Sequence, residues 1–246
     1  KIASALLEMG VKEGDRIMLV AESRPEWPMA DLAIMTAGCI TVPAFITNTT
    51  QDHLHILRHS GARIAIISNQ SIAQKFMPAA LESPALEAII FIDPVQFEQQ
   101  LPLSQFLWSD LLEKPDNSKN IDLIAKRIDG LKRTDLACFI YTSGTGGTPK
   151  GVMLSHGAVL SNCEGAAHVL QGLNLKNERF LSFLPLSHAY EHTAGQFLPM
   201  LIGAEIYYAE SVEKISDNLR ETKPTIMTAV PRFFELMHQR ILRSVA

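Results

Sequence analysis

The stretch Tyr141-Thr-Ser-Gly-Thr-Gly-Gly-Thr-Pro-Lys-Gly-Val152 decides how this chain is read. It follows the apolar run Leu136-Ala-Cys-Phe-Ile140, which predicts a buried strand. Between Tyr141 and Val152 stand Gly144, Gly146, Gly147 and Gly151, the hydroxyls of Thr142, Ser143, Thr145 and Thr148, and one cation, Lys150. Glycines let a backbone turn sharply and bring bare N–H groups close to a ligand. Successive N–H groups in such a turn form an anion-binding nest. Hydroxyls add donors that also tolerate magnesium, and lysine adds a point charge suited to phosphate. The loop reads as a polyphosphate cradle; the plainer alternative is a solvated surface loop.

Two common phosphate loops do not fit. A Walker A loop ends in Gly-Lys-Ser/Thr and runs into a helix. Here the order is Lys150-Gly151, and Val152-Met-Leu154 predicts a second strand before Ser155. A dinucleotide fingerprint needs a third glycine in register, which Gly144-Thr-Gly146-Gly147-Thr-Pro149 lacks. The stretch does closely resemble the signature loop of the AMP-forming acyl-CoA synthetase, adenylation-domain and luciferase superfamily. That loop usually reads Tyr-Thr-Ser-Gly-Thr-Thr-Gly-x-Pro-Lys-Gly. The departure is Gly146, where the family usually has threonine or serine; it removes a hydroxyl contact and leaves Thr145 and Lys150 in place.

Outward from the loop, apolar runs alternate with helical patterns. Strands are predicted over Arg16 to Ala21, Cys39 to Ala44, Ala62 to Ile67 and Ala88 to Ile92. A helix with Ile2, Ala5, Leu6 and Met9 on one face stops at Gly10, and apolar Glu26 to Ala37 predicts another. Further helices are predicted from a Thr50 cap to His59, closed by Gly61, and over Ile72 to Leu81, Leu103 to Glu113 and Ile121 to Leu131. Ser155 can cap a helix through Leu170. Beyond it lie strands at Arg179 to Leu184, Ala204 to Tyr208 and Pro224 to Val230. Ser211 caps a helix to Glu221, and Pro231 opens a last helix at its favoured first position. Such alternation predicts an α/β fold with a mostly parallel sheet and helices on both faces. Composition alone places a domain boundary in the polar stretch Lys114 to Asn120.

A second constellation, Leu184-Pro-Leu-Ser-His-Ala-Tyr-Glu-His192, stands at the carboxyl end of a predicted strand, where open α/β sheets hold ligands. Alone, His188-x-x-Glu191-His192 matches a zinc-hydrolase pattern, with two ligands and a general base on one helix. That rival lacks a third protein ligand and begins at a Pro-containing loop. A polar helix start with partly exposed histidines is the plain alternative. His53, His55, His59, His156, His168 and His238 show no partner pattern.

The segment also resembles the Leu-Pro-Leu-x-His-x-aromatic-Glu of long-chain fatty acyl-CoA synthetases, and Val230-Pro-Arg232 resembles that branch's Val-Pro-Arg beside the acyl tunnel. The resemblance implies two lobes of mostly parallel sheet flanked by helices, as in the N-terminal domain of adenylate-forming enzymes. It places the first lobe at residues 1–176 and an incomplete second lobe at residues 177–246. It implies a ligase that joins a fatty acid to coenzyme A, with ATP giving AMP and pyrophosphate through an acyl-adenylate. Thr145, Lys150 and His188 would be catalytic. Thr142, Ser143, Gly144, Thr145, Gly146, Gly147, Thr148 and Lys150 would hold the nucleotide, Thr145 would touch Mg2+, and His188, Tyr190 and Arg232 would bind substrate, the first two at the carboxylate and adenylate site. The family's later Tyr-Gly-x-Thr-Glu and Thr-Gly-Asp segments and its C-terminal lysine do not occur here. The chain is therefore expected to be part of a longer enzyme, inactive by itself or serving only as a nucleotide- or pyrophosphate-binding module.

Composition bounds the rest. Lysine and arginine number 22 against 26 acidic residues, for a net charge of −4, so no nucleic-acid partner is predicted. The three scattered cysteines suit reduced core thiols and a cytoplasmic setting. No apolar run reaches the ~18 residues of a spanning helix. Peripheral membrane association, common among long-chain members, and homo-oligomerisation stay open.

Overall fold

A computed structural model describes residues 1–97, 102–115, 117–142, 148–173 and 176–245. Its main sheet has seven strands: β1 (Arg16–Val20), β2 (Ile40–Pro43), β3 (Ile64–Ile67), β4 (Ala88–Phe91), β5 (Ser104–Leu107), β6 (Leu136–Thr142) and β7 (Lys150–Ser155). They lie in the order β5-β4-β3-β1-β2-β6-β7, parallel throughout except for the antiparallel β6–β7 hairpin. Along β1, Ile17 and Leu19 join one core cluster, while Met18 and Val20 join the other. Side chains alternate between faces along a strand, and both faces here are covered, so central strands read as unbroken apolar runs.

One face packs α1 (Ile2–Glu8) and α2 (Glu26–Thr36), with Leu6, Trp27 and Ile34 fully buried. The other packs α3 (Thr50–Ser60) and α4 (Gln70–Leu81), where Leu57 and Phe76 are fully buried. Each such side chain contributes roughly 1.5–3 kcal/mol. Thr49, one residue before the predicted cap, starts α3: its hydroxyl accepts from Asp52 N–H, and Asp52 returns the bond to Thr49 N–H. Gly61, at φ 64°, ends α3 as predicted.

The predicted helix over Leu103 to Glu113 is instead the edge strand β5 followed by α5 (Trp108–Glu113). Backbone pairing with β4 wins at Ser104–Leu107, and only Trp108 and Leu111 turn inward on the helix. The polar stretch predicted as a boundary holds the chain together: Lys114 pairs with Glu8 at 3.2 Å, and Asn120, in α6 (Ser118–Gly130), bonds Ser4. Cys39, Cys138 and Cys163 are buried free thiols; burial pushes Cys39 up to about 12 and Cys138 higher still.

Ser155 caps α7 (His156–Leu170), accepting from Ala158 N–H. A second sheet of β8 (Arg179–Ser182), β9 (Glu205–Tyr208) and β10 (Ile226–Met227) is parallel, in the order β10-β8-β9. Between β8 and β9 a helical run comprises α8 (Ala189–Glu191), a π-helical turn (His192–Phe197) and α9 (Leu198–Leu201). The helices α10 (Ile215–Thr222) and α11 (Pro231–Val245) close the described chain. Ser211 caps only the turn before α10, accepting from Lys214 N–H, so that helix starts later than predicted. Among the described residues, no helix is long and apolar enough to cross a membrane.

Candidate functional site

The β6–β7 hairpin carries the glycine-rich loop at its tip. Thr142 and Lys150 are cross-strand partners at its mouth, and Tyr141 faces Gly151. Paired residues share one face of an antiparallel ladder, so the Thr142 and Lys150 side chains leave the hairpin on the same face. Gly151 leaves room for the ring opposite it. A methyl group on it would come within 3.1 Å of the Tyr141 ring, which lies across that strand. The expectations placed on Ser143, Gly144, Thr145, Gly146 and Gly147 fall outside the described residues. Thr148 and Lys150 are exposed, and the Lys150 ammonium forms no ion pair among the described residues.

Both stems of the loop are fastened by α3. His55 Nε2 donates to the Pro149 carbonyl at 2.8 Å, and His59 Nδ1 bonds the Tyr141 hydroxyl at 2.7 Å. The two imidazoles stack, with ring centroids 5.4 Å apart. Burial pushes the Tyr141 phenol up to about 12, so it stays protonated. Neither histidine stood out in the sequence, although their i,i+4 spacing places them on one helix face.

A cavity of about 450 Å³ opens beside these stems, at the carboxyl ends of β2 and β6. Its lining includes Phe45, Asp52, Tyr141, Thr142 and Pro149 from the first sheet and its loops, and His188 and Ala189 from beyond β8. The structure thus brings His188 to the glycine-rich hairpin across 46 residues of chain (188 − 142). His188 caps α8: its Nδ1 accepts from Tyr190 N–H at 3.2 Å. In the neutral ring the proton then sits on Nε2, a donor suited to a carboxylate or oxyanion.

Other predicted site residues lie elsewhere. Tyr190 lines an adjoining groove of about 410 Å³ with Leu154, Ala166, Ala194 and Leu198, and Ala189 borders both this groove and the cavity. Arg232 is exposed at the start of α11 and pairs with Glu235 at 2.9 Å. The zinc-pattern residues diverge. Glu191 is fully buried and accepts from Ser182 Oγ at 2.6 Å and from Thr228 Oγ1. His192, also buried, places Nε2 2.8 Å from Asp31 Oδ2, which accepts as well from Gln196 Nε2 at 2.7 Å. Among the described residues, no three His, Cys, Asp or Glu side chains gather as a metal site requires.

The described residues fit the phosphate end of a nucleotide: two exposed threonine hydroxyls and a lysine not engaged by any carboxylate, beside an open cavity. A model of the AMP-binding enzyme family matches residues 1–245. The chain is 29% identical over 244 residues to the long-chain-fatty-acid–CoA ligase FadD15 of Mycobacterium tuberculosis, covering 99% of this chain and 39% of that protein. It is 27% identical over 248 residues to the long-chain-fatty-acid–CoA ligase heimdall of Drosophila melanogaster, covering 99% and 36% respectively. The solved benzoate CoA ligase of Burkholderia xenovorans is similar with a TM-score of 0.71 and 26% identity, over 94% of this chain and 43% of that one. The chain thus spans under two fifths of the length of these two curated relatives.

Proposed function

The chain belongs to the AMP-binding enzyme family, and from that premise we propose that it is the N-terminal portion of an AMP-forming long-chain fatty-acid–CoA ligase. The observation that supports this reading is the shared cavity, which Tyr141, Thr142 and Pro149 of the hairpin line together with a histidine whose Nδ1 is engaged by Tyr190 N–H. Residues 1–176 and 177–246 are proposed as the two lobes of that portion.

ATP, as substrate, supplies an electrophilic α-phosphorus and a pyrophosphate leaving group. Lys150, Thr142 and Thr148, with the loop residues 143–147, hold the β- and γ-phosphates and neutralise the charge that leaves. Phosphoryl chemistry asks the protein for positioning and charge stabilisation, and one such contact is worth roughly 3–4 kcal/mol. His188 orients the fatty carboxylate through Nε2–H. The groove beside Tyr190, lined by Leu154, Ala166 and Leu198, suits an alkyl chain. Mg2+ would be held in part by the Thr145 hydroxyl and would offset phosphate charge. Coenzyme A accepts the activated acyl group.

The test is incubation of the full-length protein with palmitate, MgATP and coenzyme A. AMP release coupled to palmitoyl-CoA at about 1 s⁻¹ or faster is expected. AMP release with short or aromatic acids and none with palmitate would reassign the substrate, and no AMP release with any carboxylate would overturn the proposal.

A further inference from the structure

Glu191 and His192 are consecutive, fully buried and held on different parts of the molecule. Glu191 takes hydroxyl bonds from Ser182, at the end of β8, and from Thr228, just beyond β10. His192 reaches back to Asp31 on α2 of the first sheet. The backbone connects both to the cavity, since His192 N–H donates to the His188 carbonyl at 2.9 Å. His188 therefore sits one helical turn above a residue tied to the first sheet, and three residues before one tied to the second.

Gly195 makes the arrangement possible. It lies inside the π-helical turn with no left-handed backbone to require glycine, and a methyl group there would overlap the Glu191 carboxylate. The missing side chain leaves the space that the Glu191 carboxylate occupies against the turn. π-turns of this kind mark functional sites more often than chance. Burial raises the Glu191 pKa, while the hydrogen bonds from Ser182 and Thr228 oppose that rise.

We propose that Glu191, seated on Gly195 and held by Ser182 and Thr228, is a positioning residue for adenylation: it sets the height and angle of His188 over the phosphate hairpin. It touches neither substrate nor reacting atoms and acts through His188. The inference rests on the ligase reading and on His188 meeting the carboxylate. Its geometric core, a buried carboxylate spanning β8, α8 and the β10 exit, is independent of both.

The test uses the full-length protein and reads the adenylation half-reaction as palmitate-dependent ATP–pyrophosphate exchange, with pyrophosphate affinity measured beside it. Glu191→Ala is expected to slow exchange about a hundredfold, the usual consequence of roughly 1 Å of misplacement. Pyrophosphate affinity should stay within about twofold, because the hairpin is untouched. Glu191→Gln should recover most of the loss: its carbonyl accepts one hydroxyl and its amide donates to the other, since hydroxyls do both. Combining Glu191→Ala with His188→Ala should give no loss beyond His188→Ala alone. Additive losses, or Glu191→Ala within about threefold of the parent, would overturn the proposal. Equal loss of pyrophosphate affinity would do the same by revealing a general structural role.

If Glu191→Ala does not fold, Thr228→Val decides. It removes one hydroxyl bond at constant shape, and about fivefold slower exchange that vanishes in the His188→Ala background is expected. A Thr228→Val enzyme equal to the parent would overturn the proposal. Absence of exchange in the parent, or full exchange by His188→Ala, would instead point to failure of the ligase reading.

Discussion

The two segments that meet at the cavity are held in opposite ways. The glycine-rich hairpin stands on its own ladder, steadied from outside by two half-exposed or exposed histidines, and its lysine is left to solvent. The His188 segment is fixed from beneath by buried acids that solvent does not reach. A group that must receive a polyanion gains nothing from a carboxylate partner, because that partner would have to be displaced. A group that must hold one orientation gains from a buried, directional anchor, at the risk that removing one partner strands the other. Mutations in the buried anchor should therefore alter stability, and those on the hairpin should alter binding.

The largest stability effect is expected at Asp31. Asp31→Ala leaves the His192 and Gln196 donors buried and unpaired, at roughly 1–3 kcal/mol each. Chemical denaturation should show a loss of about 3–5 kcal/mol; a loss under 1 kcal/mol would remove the contrast between the segments.

A second, slightly smaller effect follows from pH. His53 is buried against Phe76, and neither ring nitrogen has a hydrogen-bond partner among the described residues. Burial lowers its pKa from 6.5 to about 4. The unfolded chain thus binds a proton near pH 6.5 that the folded chain refuses until about pH 4. Stability present above the upper value is lost as pH falls through that window, by roughly 3 kcal/mol in full. Denaturation midpoints between pH 7 and pH 4 should fall in the parent and flatten in His53→Leu over the same range. An unchanged slope in the variant would place the titration elsewhere.

At the hairpin the expected effects on stability are smaller. Tyr141→Phe removes one hydrogen bond to His59 and should cost about 1 kcal/mol. A loss as large as that at Asp31 would show the hairpin to be a structural anchor like its counterpart.

Much of this organisation was legible in the sequence, and the gaps have physical causes. The strands β1 to β4 are buried on both faces, so their apolar runs are unambiguous, and the glycine-rich loop declared itself by chemistry. The segment after β8 was harder to read. Its π-turn departs from the 3.6-residue period, which hides a helix running through His192–Phe197. Gly195 looks like any glycine until the Glu191 carboxylate is found above it. Ser104–Leu107 was misread because an edge strand depends on a neighbour that no local pattern reveals. Asp31 sits in the apolar sequence of α2 with nothing to announce a partner 161 residues away. Of the residues carried over by resemblance, Tyr190 lines the groove that shares Ala189 with the His188 cavity, and Arg232 pairs with Glu235 on exposed α11.

On the proposed reading the hairpin cradles phosphate through Lys150, while the fold does not depend on that side chain. Calorimetric titration of the chain with pyrophosphate, parent against Lys150→Ala, tests it most directly when paired with a melting curve for each. The account predicts affinity reduced by about 10²-fold or more, from loss of a charge contact worth roughly 3–4 kcal/mol, with stability unchanged within about 0.5 kcal/mol. Equal affinity in the two proteins would contradict it.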